Sequence, residues 1–437
     1  MANEIKNQKE ILAKLNIASL NAMQNEAIAA IEKSANTILL SPTGTGKTLA
    51  FLLPILKNLN PDNPEVQALI VVPTRELAIQ IEQVVRNMGS GFKVNAVYGG
   101  RSKSKDKIEL KHTPAILVGT PGRILDHFDD DRFSKSSIHT LVLDEYDKSL
   151  EIGFEGEMSE ILHELSGVKK RILTSATQGV GIPKFVKFDS PVVLDFLTEG
   201  KDAKLAIKTI ISPDKDKLDT LLQLLLYLGN QPGIIFCNFR ESIETVSDFL
   251  YSHNIGHTNF SGGMEQKDRE RALIKFRNGT SQVLVSTDLA ARGIDIPELK
   301  YIIHYELPHT AVEFTHRNGR TARVNEKGTA YVLKWKNQSL PDFIAKTETF
   351  EIPKVETAEA EMWETLFISG GRKDKISKVD IVGLFLKQGN ITNDQLGAIE
   401  LKQDCAFVAV PLKLADSLVA KLNNSRLKKK KVRIYIL

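Results

Sequence analysis

The sequence predicts an α/β fold: two parallel-sheet lobes with helices on both faces, then a small α+β module. Three observations carry this. Short apolar runs alternate with amphipathic segments through most of the chain, the pattern of buried parallel strands joined by helices. One run, Ile38-Leu39-Leu40, leads straight into a glycine- and lysine-bearing loop, as strand–loop–helix units do. The last segment is basic. Leu366 to Leu437 carries 14 Lys and Arg against 6 Asp and Glu, a charge of +8 in a chain whose net charge is +4.

In the first lobe the runs are 37–40, 68–72, 115–118, 141–143, 171–173 and 192–194. In the second they are 233–236, 283–285, 301–304 and 329–333. Each is bounded by Gly, Pro or polar residues, as strands are. The polar stretch 198–204 reads as a linker, and the Pro- and Glu-bearing stretch 337–361 as a second boundary. The expected domains are 1–200, 205–345 and 364–437. Alternation of Val432, Ile434 and Ile436 marks the basic end as a strand instead of a loose tail.

Composition narrows the class. A chain of 437 residues, 42% hydrophobic and 26% charged, is large enough for two or three domains. No run approaches the ~18 apolar residues of a membrane span. The polar start lacks a signal-peptide core. Cys237 and Cys405 are the only cysteines and lie far apart, which disfavours a disulfide framework or a cysteine zinc site. A membrane-free, cytoplasmic protein is expected, with a polyanion as partner of the basic module.

The loop Ser41-Pro42-Thr43-Gly44-Thr45-Gly46-Lys47-Thr48 has the features of a phosphate cradle. Its glycines let backbone N–H groups turn inward, Lys47 can reach β- and γ-phosphates, and the Thr48 hydroxyl can ligate Mg²⁺. Leu141-Val142-Leu143 delivers Asp144 and Glu145 to a strand end. Asp144 suits Mg²⁺, and Glu145 suits polarisation of an attacking water. Together these predict nucleoside triphosphate hydrolysis. In the second lobe, Arg320 and Arg323 are spaced to share one face of a helical turn and could both stabilise transition-state charge.

These blocks, in this order, resemble those of the DEAD-box RNA helicases along nearly the whole chain. The resemblance implies RecA-like lobes and an ATP-dependent RNA helicase. Gln24, in Leu20-Asn21-Ala22-Met23-Gln24, stands where the family reads adenine. Thr43, Gly44, Thr45, Gly46, Lys47 and Thr48 form its phosphate loop. Pro73-Thr74-Arg75, Gly99-Gly100 and Thr120-Pro121-Gly122-Arg123 match its first-lobe RNA contacts. In the second lobe Gly263, Gln266, Arg269, Thr287 and Arg292 do so. Asp147, Ser175, Thr177 and His316 match the set coupling hydrolysis to strand separation. Gly293 and Asp295 fall where the family meets the γ-phosphate and the ribose. The chain departs from the pattern at Asn21-Ala22, where Pro-Thr is usual, at Tyr146, where the family motif has alanine, and at Ala322, where it has glycine. Asn7 stands where an adenine-stacking aromatic is common.

The end of the chain resembles an RRM-like domain. Leu366–Gly371 would be its first strand and Cys405–Val410 its third. Such strands expose base-stacking aromatics. Phe367 and Phe407 remain, while Cys405 replaces an aromatic; both phenylalanines could equally be core. The stretch from Gly371-Arg372-Lys373-Asp374-Lys375 to Gly383 resembles the rRNA-binding domain of DbpA-type helicases. That implies Arg372, Lys373 and Lys375 as RNA contacts. The leading expectation is a monomeric helicase acting on structured rRNA, in ribosomal precursor particles of the large subunit. A helicase of mRNA decay or cold adaptation, and an ATP-gated RNA clamp with little turnover, are the two other readings.

Overall fold

The computed structural model describes residues 5–165, 167–177, 182, 184–186, 188–197, 205–288, 296, 299–321, 328–344, 347–353 and 362–437. The chain divides into two compact units, the second beginning at Ala203.

The first unit holds a seven-stranded sheet: β1 (Asn36–Leu40), β2 (Ala68–Val71), β3 (Val94–Val97), β4 (Ile116–Gly119), β5 (Thr140–Leu143), β6 (Lys170–Ser175) and β7 (Val192–Asp195). The order is β3-β4-β2-β5-β6-β1-β7, and all pairings are parallel. Side chains alternate between two cores. Ile70, Ala96, Val118, Val142 and Ile172 join one; Leu69, Val97, Leu117, Leu141 and Leu173 join the other. Both faces of the central strands β2, β4 and β5 are buried, so these read as continuous apolar runs, whereas the edge strand β7 is largely exposed; each fully buried Leu or Ile contributes roughly 1.5–3 kcal/mol.

The second unit repeats the plan with β8 (Leu205–Ser212), β9 (Gly233–Cys237), β10 (His257–Phe260), β11 (Val283–Thr287), β12 (Tyr301–His304), β13 (Gly328–Trp335) and β14 (Glu348–Thr349). The order is β10-β11-β9-β12-β13-β8-β14. β14 pairs with β8, and Phe350 and Ile352 pack on the lobe's core. This places strand structure beyond residue 345 and inside the stretch expected to be a boundary. The expected linker at 198–204 lies outside the described residues.

A four-stranded sheet follows, in the order β16-β17-β15-β20, from β15 (Trp363–Ile368), β16 (Ile399–Leu401), β17 (Ala406–Pro411) and β20 (Ile434–Ile436). A small hairpin, β18 (Arg426–Leu427) and β19 (Lys430–Lys431), precedes the last strand. All pairings of the four-stranded sheet are antiparallel. Leu366, Ile368, Val408 and Ile434 face a helix-covered core.

Candidate functional site

Parallel sheets collect loops at the carboxyl ends of their strands, and ligands bind there. In the first lobe β1, β5 and β6 supply those loops. The phosphate loop leaves β1, and Gly46 ends it at φ +90° as the N-cap of the helix Lys47–Asn58. A side chain would be strained in that left-handed position. It would also meet the Gln24 amide.

The loop is tied down from two sides. Lys47 Nζ donates to the carbonyls of Ser41 at 2.5 Å and Pro42 at 2.9 Å. Thr45 Oγ1 lies 2.7 Å from Ser41 Oγ and donates to Pro42 O at 2.9 Å. Gln24 Nε2 donates to Gly46 O at 3.3 Å, and Asn21 Nδ2 to Thr45 O at 3.0 Å. Asn21 and Gln24 also cap each other reciprocally at the start of the helix Ala22–Lys33. The departure from Pro-Thr at this point thus supplies a loop-holding side chain. Sequence reasoning missed this role for Asn21. Burial lowers the Lys47 pKa to about 8, against the opposing pull of Glu145 and Asp144.

Asp144 and Glu145 follow β5 and are buried. Burial and the Glu145 carboxylate push the Asp144 pKa up to about 6. Thr174 on the neighbouring β6 donates its hydroxyl to Asp144 Oδ1. The Thr174 hydroxyl oxygen in turn accepts the Glu145 amide at 3.1 Å. One hydroxyl therefore positions both carboxylates. Thr174 was not singled out in the sequence; its place directly before Ser175-Ala176-Thr177 and across from β5 is the available signal. Glu145 sits at φ +50°, ψ +48°, a left-handed conformation that an L side chain adopts at a cost of order 1–3 kcal/mol. Its carboxylate pairs with the fully buried Lys148 ammonium at 2.8 Å. Tyr146 is buried in the sheet's second core, so the position that differs from the family motif is a packing residue.

The expected coupling set is partly assembled within this lobe. Thr177 Oγ1 donates to Asp147 Oδ2 at 2.8 Å, and Ser175 Oγ donates to Thr177 O at 2.9 Å. Thr43, Gly44 and Thr48 complete the loop and the first turn of its helix.

The expected RNA segments lie at the ends of β2, β3 and β4, which are neighbours in the sheet. Thr74, after Pro73, caps the helix Arg75–Met88 by accepting Leu77 N at 3.2 Å. The Arg75 guanidinium lies against Gly99 and Gly100, and a methyl group at Gly100 would collide with it. Thr120 and Pro121 open the helix Pro121–Asp129. Arg123 is buried and occupied by carboxylates.

In the second lobe, Gly263 lies against the Arg240 guanidinium, repeating the Arg75–Gly100 arrangement. Arg240 was not identified from sequence. Gln266 starts the helix Gln266–Arg277. Arg269 donates to Ser261 O at 3.2 Å and lies over the Phe260 ring. Thr287 ends β11.

The arginine motif differs from the expected helical turn. The helix Ala311–Asn318 carries His316 and Arg317, then stops at Gly319. Arg320 is buried in the turn beyond it. Thr321 Oγ1 donates to Leu299 O at 2.6 Å and draws the chain off as a bridge. The expected helical turn is therefore corrected at its first residues: the helix has ended by Gly319, and the Thr321 bond carries the chain into a bridge directly after Arg320. Arg317 instead anchors Asp288 at 2.5 Å, Asn238 Oδ1 at 2.7 Å and Glu306 O at 2.7 Å. Arg292, Gly293, Asp295, Ala322 and Arg323 lie outside the described residues.

On the C-terminal sheet, Phe367 is directly opposite Phe407 on one side and Tyr435 on the other. Phe367 stacks on Tyr435 at 4.6 Å and meets Phe407 edge-on at 5.6 Å. These rings occupy the face away from the module's core, and Tyr435 supplies the aromatic that Cys405 does not. The same face meets the second lobe: Glu400, opposite Phe407, pairs with Arg277 at 2.8 Å, and Thr365 Oγ1 lies 2.6 Å from Thr280 Oγ1. Arg372, Lys373 and Lys375 sit on a turn beside the hairpin, pinned by Asp374–Lys430 at 2.8 Å and Asp380–Lys428 at 2.9 Å.

Comparison with known proteins agrees with this geometry. The DEAD/DEAH box helicase profile matches residues 21–183, the helicase conserved C-terminal domain 216–325, and the DbpA RNA binding domain 365–436. The chain is 30% identical to the ATP-dependent RNA helicase DbpA of Bacillus subtilis, covering 94% of this chain and 93% of that protein. It is also 30% identical to the Escherichia coli protein of that name, over 98% and 96%. Among solved structures, Saccharomyces cerevisiae Dbp5 bound to RNA and ADP BeF3 matches with a TM-score of 0.69 at 27% identity, covering 76% of this chain and 88% of that one. Mss116p bound to ssRNA and AMP-PNP gives 0.69 and 27%, over 79% and 78%. Among the described residues no helix is long and apolar enough to cross a membrane. The chain belongs to the DEAD-box ATP-dependent RNA helicases, in the branch that ends in a DbpA RNA-binding domain.

Proposed function

We propose that this helicase acts on structured rRNA during assembly of the large ribosomal subunit, as a cytoplasmic monomer. The observation that carries the target is the basic DbpA-type module at the chain's end, with Arg372, Lys373 and Lys375 held on a pinned turn. Tethering raises the effective concentration of the lobes near their duplex without making the lobes sequence-specific. The lobes themselves would grip RNA through its backbone and 2′-hydroxyls. The first would use 73–75, 99–100 and 120–123, and the second Gly263, Gln266, Arg269, Thr287 and Arg292.

At the nucleotide site, backbone amides of 43–48 would hold the phosphates and Gln24 the adenine. Lys47 would leave its loop carbonyls for the β- and γ-phosphates. A Mg²⁺ ion fits the donor set: a buried carboxylate crowded by a second one, plus the Thr48 hydroxyl, matches a hard cation that keeps waters and phosphate oxygens as its other ligands. Bound there, it would neutralise developing phosphate charge. Glu145 would orient the attacking water. Arg320 and Arg323 would stabilise the transition state when ATP and RNA bring the lobes together, and Gly293 and Asp295 would contact γ-phosphate and ribose. Asp147, Ser175, Thr177 and His316 would pass closure to the RNA.

The target is tested by titrating rRNA hairpins and mixed-sequence duplexes against the full chain at fixed salt. Preference for an rRNA hairpin that vanishes on deleting 366–437, with ATPase on generic RNA kept, is expected. Equal affinity for all duplexes would refute the rRNA assignment. Absence of RNA-stimulated phosphate release would favour the clamp.

A further inference from the structure

Asp106, on the short helix Lys103–Glu109, is a fully buried carboxylate outside the nucleotide site. Its two oxygens serve different partners. Oδ1 takes Arg101 Nε at 2.9 Å. Oδ2 takes Arg123 Nη2 at 2.7 Å and Nε at 2.9 Å, and lies 3.2 Å from His127 Nε2. Arg101 directly follows the Gly99-Gly100 turn; Arg123 and His127 lie on the helix that Thr120 and Pro121 open. Two hydrogen bonds and an ion pair close the frame: Arg123 Nη2 to Arg101 O at 3.0 Å, Arg123 Nη1 to Asp126 Oδ2 at 3.3 Å, and the Arg101–Glu109 pair at 2.5 Å.

Little of the Arg123 guanidinium is left for a phosphate. It is buried, and its Nε, Nη1 and Nη2 all donate within the protein. A guanidinium so used fixes a backbone. We propose that Asp106 is a positioning residue for RNA engagement: it locks the Gly99-Gly100 turn and the Thr120-Pro121 helix start into one rigid surface, and Arg123 acts on RNA through the loop it holds. The Arg75 side chain, resting on Gly99 and Gly100, is registered against the same frame. Removing one partner of a buried ion-pair cluster costs stability wherever the cluster lies; this one joins two of the three first-lobe segments assigned to RNA, so its loss should also register in RNA affinity.

The inference rests on the assignment of those segments to RNA, and one experiment separates the two. ATP hydrolysis by the full chain is followed against RNA concentration for wild type, Asp106→Asn and Arg101→Gln. Asp106→Asn keeps the shape and removes the charge that orders both arginines. The RNA concentration for half-maximal stimulation should rise on the order of tenfold. RNA-free ATP binding, and turnover at saturating RNA, should stay within about twofold. The slope of RNA affinity against salt should be unchanged, because no phosphate-contacting cation is removed. An unaltered half-saturation in folded Asp106→Asn overturns the proposal, as does an equal loss of RNA-free ATP binding. If Asp106→Asn does not unfold cooperatively, Arg101→Gln decides by the same criteria. A wild type whose hydrolysis ignores RNA overturns the functional assignment and this inference with it.

Discussion

The two lobes share one winding: adding seven to each strand number of the first sheet's order gives that of the second. Their loops do not share a chemistry. After β1 the chain makes a phosphate loop ending at left-handed Gly46; after β8 it runs Pro213-Asp214-Lys215-Asp216-Lys217, with left-handed Lys217 at the helix start. That segment has no glycine to turn backbone N–H groups inward, and its two aspartates offset its two lysines. Lys217 is spent within the lobe, donating to Tyr305 O and lying over the Tyr305 ring. Where Asp144 and Glu145 follow β5, Tyr305 and Glu306 follow β12. Glu306 is consumed by Asn238 N at 2.5 Å and Ser242 Oγ at 2.8 Å. One fold thus carries the proposed reaction centre in one copy and structural clasps at the same positions in the other, which is why fold alone does not assign function.

The difference can be broken by paired substitutions. Lys47→Ala or Glu145→Gln should lower RNA-stimulated turnover on the order of a thousandfold, Glu145→Gln with ATP and RNA binding kept. Lys217→Met and Glu306→Gln should leave turnover within about threefold and lower thermal stability instead. Thermal melts beside steady-state hydrolysis decide; a large turnover loss from Lys217→Met would erase the contrast. Next in size is Thr174→Val. It frees the Asp144 side chain and the Glu145 amide together and should cost about tenfold in kcat.

A pH profile sharpens the same point. With Asp144 at about 6 and Lys47 at about 8, kcat/KM for ATP should fall below the first as the carboxyl takes a proton. It should fall above the second as the ammonium loses one. Thr174→Val should move the acid limb upward, because its hydroxyl bond favours the carboxylate. Stability runs the other way. Asp144, raised from 3.8, favours folding below that value, and the benefit is lost as pH rises through about 6. Lys47, lowered from 10.5, favours folding above that value, and the benefit is lost as pH falls through about 8. Near pH 7 both groups are charged at the fold's expense, so Asp144→Asn should melt higher than wild type there. Smallest is Asn21→Ala, which removes a helix cap and a loop bond and should raise the KM for ATP by about threefold.

Sequence legibility followed locality. The phosphate loop, Asp144-Glu145 and Thr120–Arg123 are contiguous strings at strand ends, and their positions were readable from the chain. Most central strands were also readable, because burial on both faces leaves uninterrupted apolar runs. β3 (Val-Asn-Ala-Val) and β10 (His-Thr-Asn-Phe) were not, since their polar residues break the run; both sit at sheet edges. β8 was hidden by its Lys-Thr interruption, and β14 by its two-residue length. Thr174, Asn21, Arg240 and Asp106 gain their roles from neighbours brought close only by strand pairing and loop packing. Tyr435 joins Phe367 through antiparallel register, which spacing along the chain does not encode. The arginine motif went the other way: its three-residue spacing suggested a helical turn, and the bond from Thr321 to Leu299, distant in sequence, draws the chain off instead.

The loop after β8 has no glycine-rich phosphate cradle, so the proposed contribution of the second lobe to hydrolysis runs through Arg320. Steady-state ATP hydrolysis by Arg320→Lys at saturating RNA tests it, since lysine keeps the charge and loses the planar fork. A fall in kcat on the order of a thousandfold is expected, with the KM for ATP and RNA affinity within about threefold. Turnover within about twofold of wild type would contradict it.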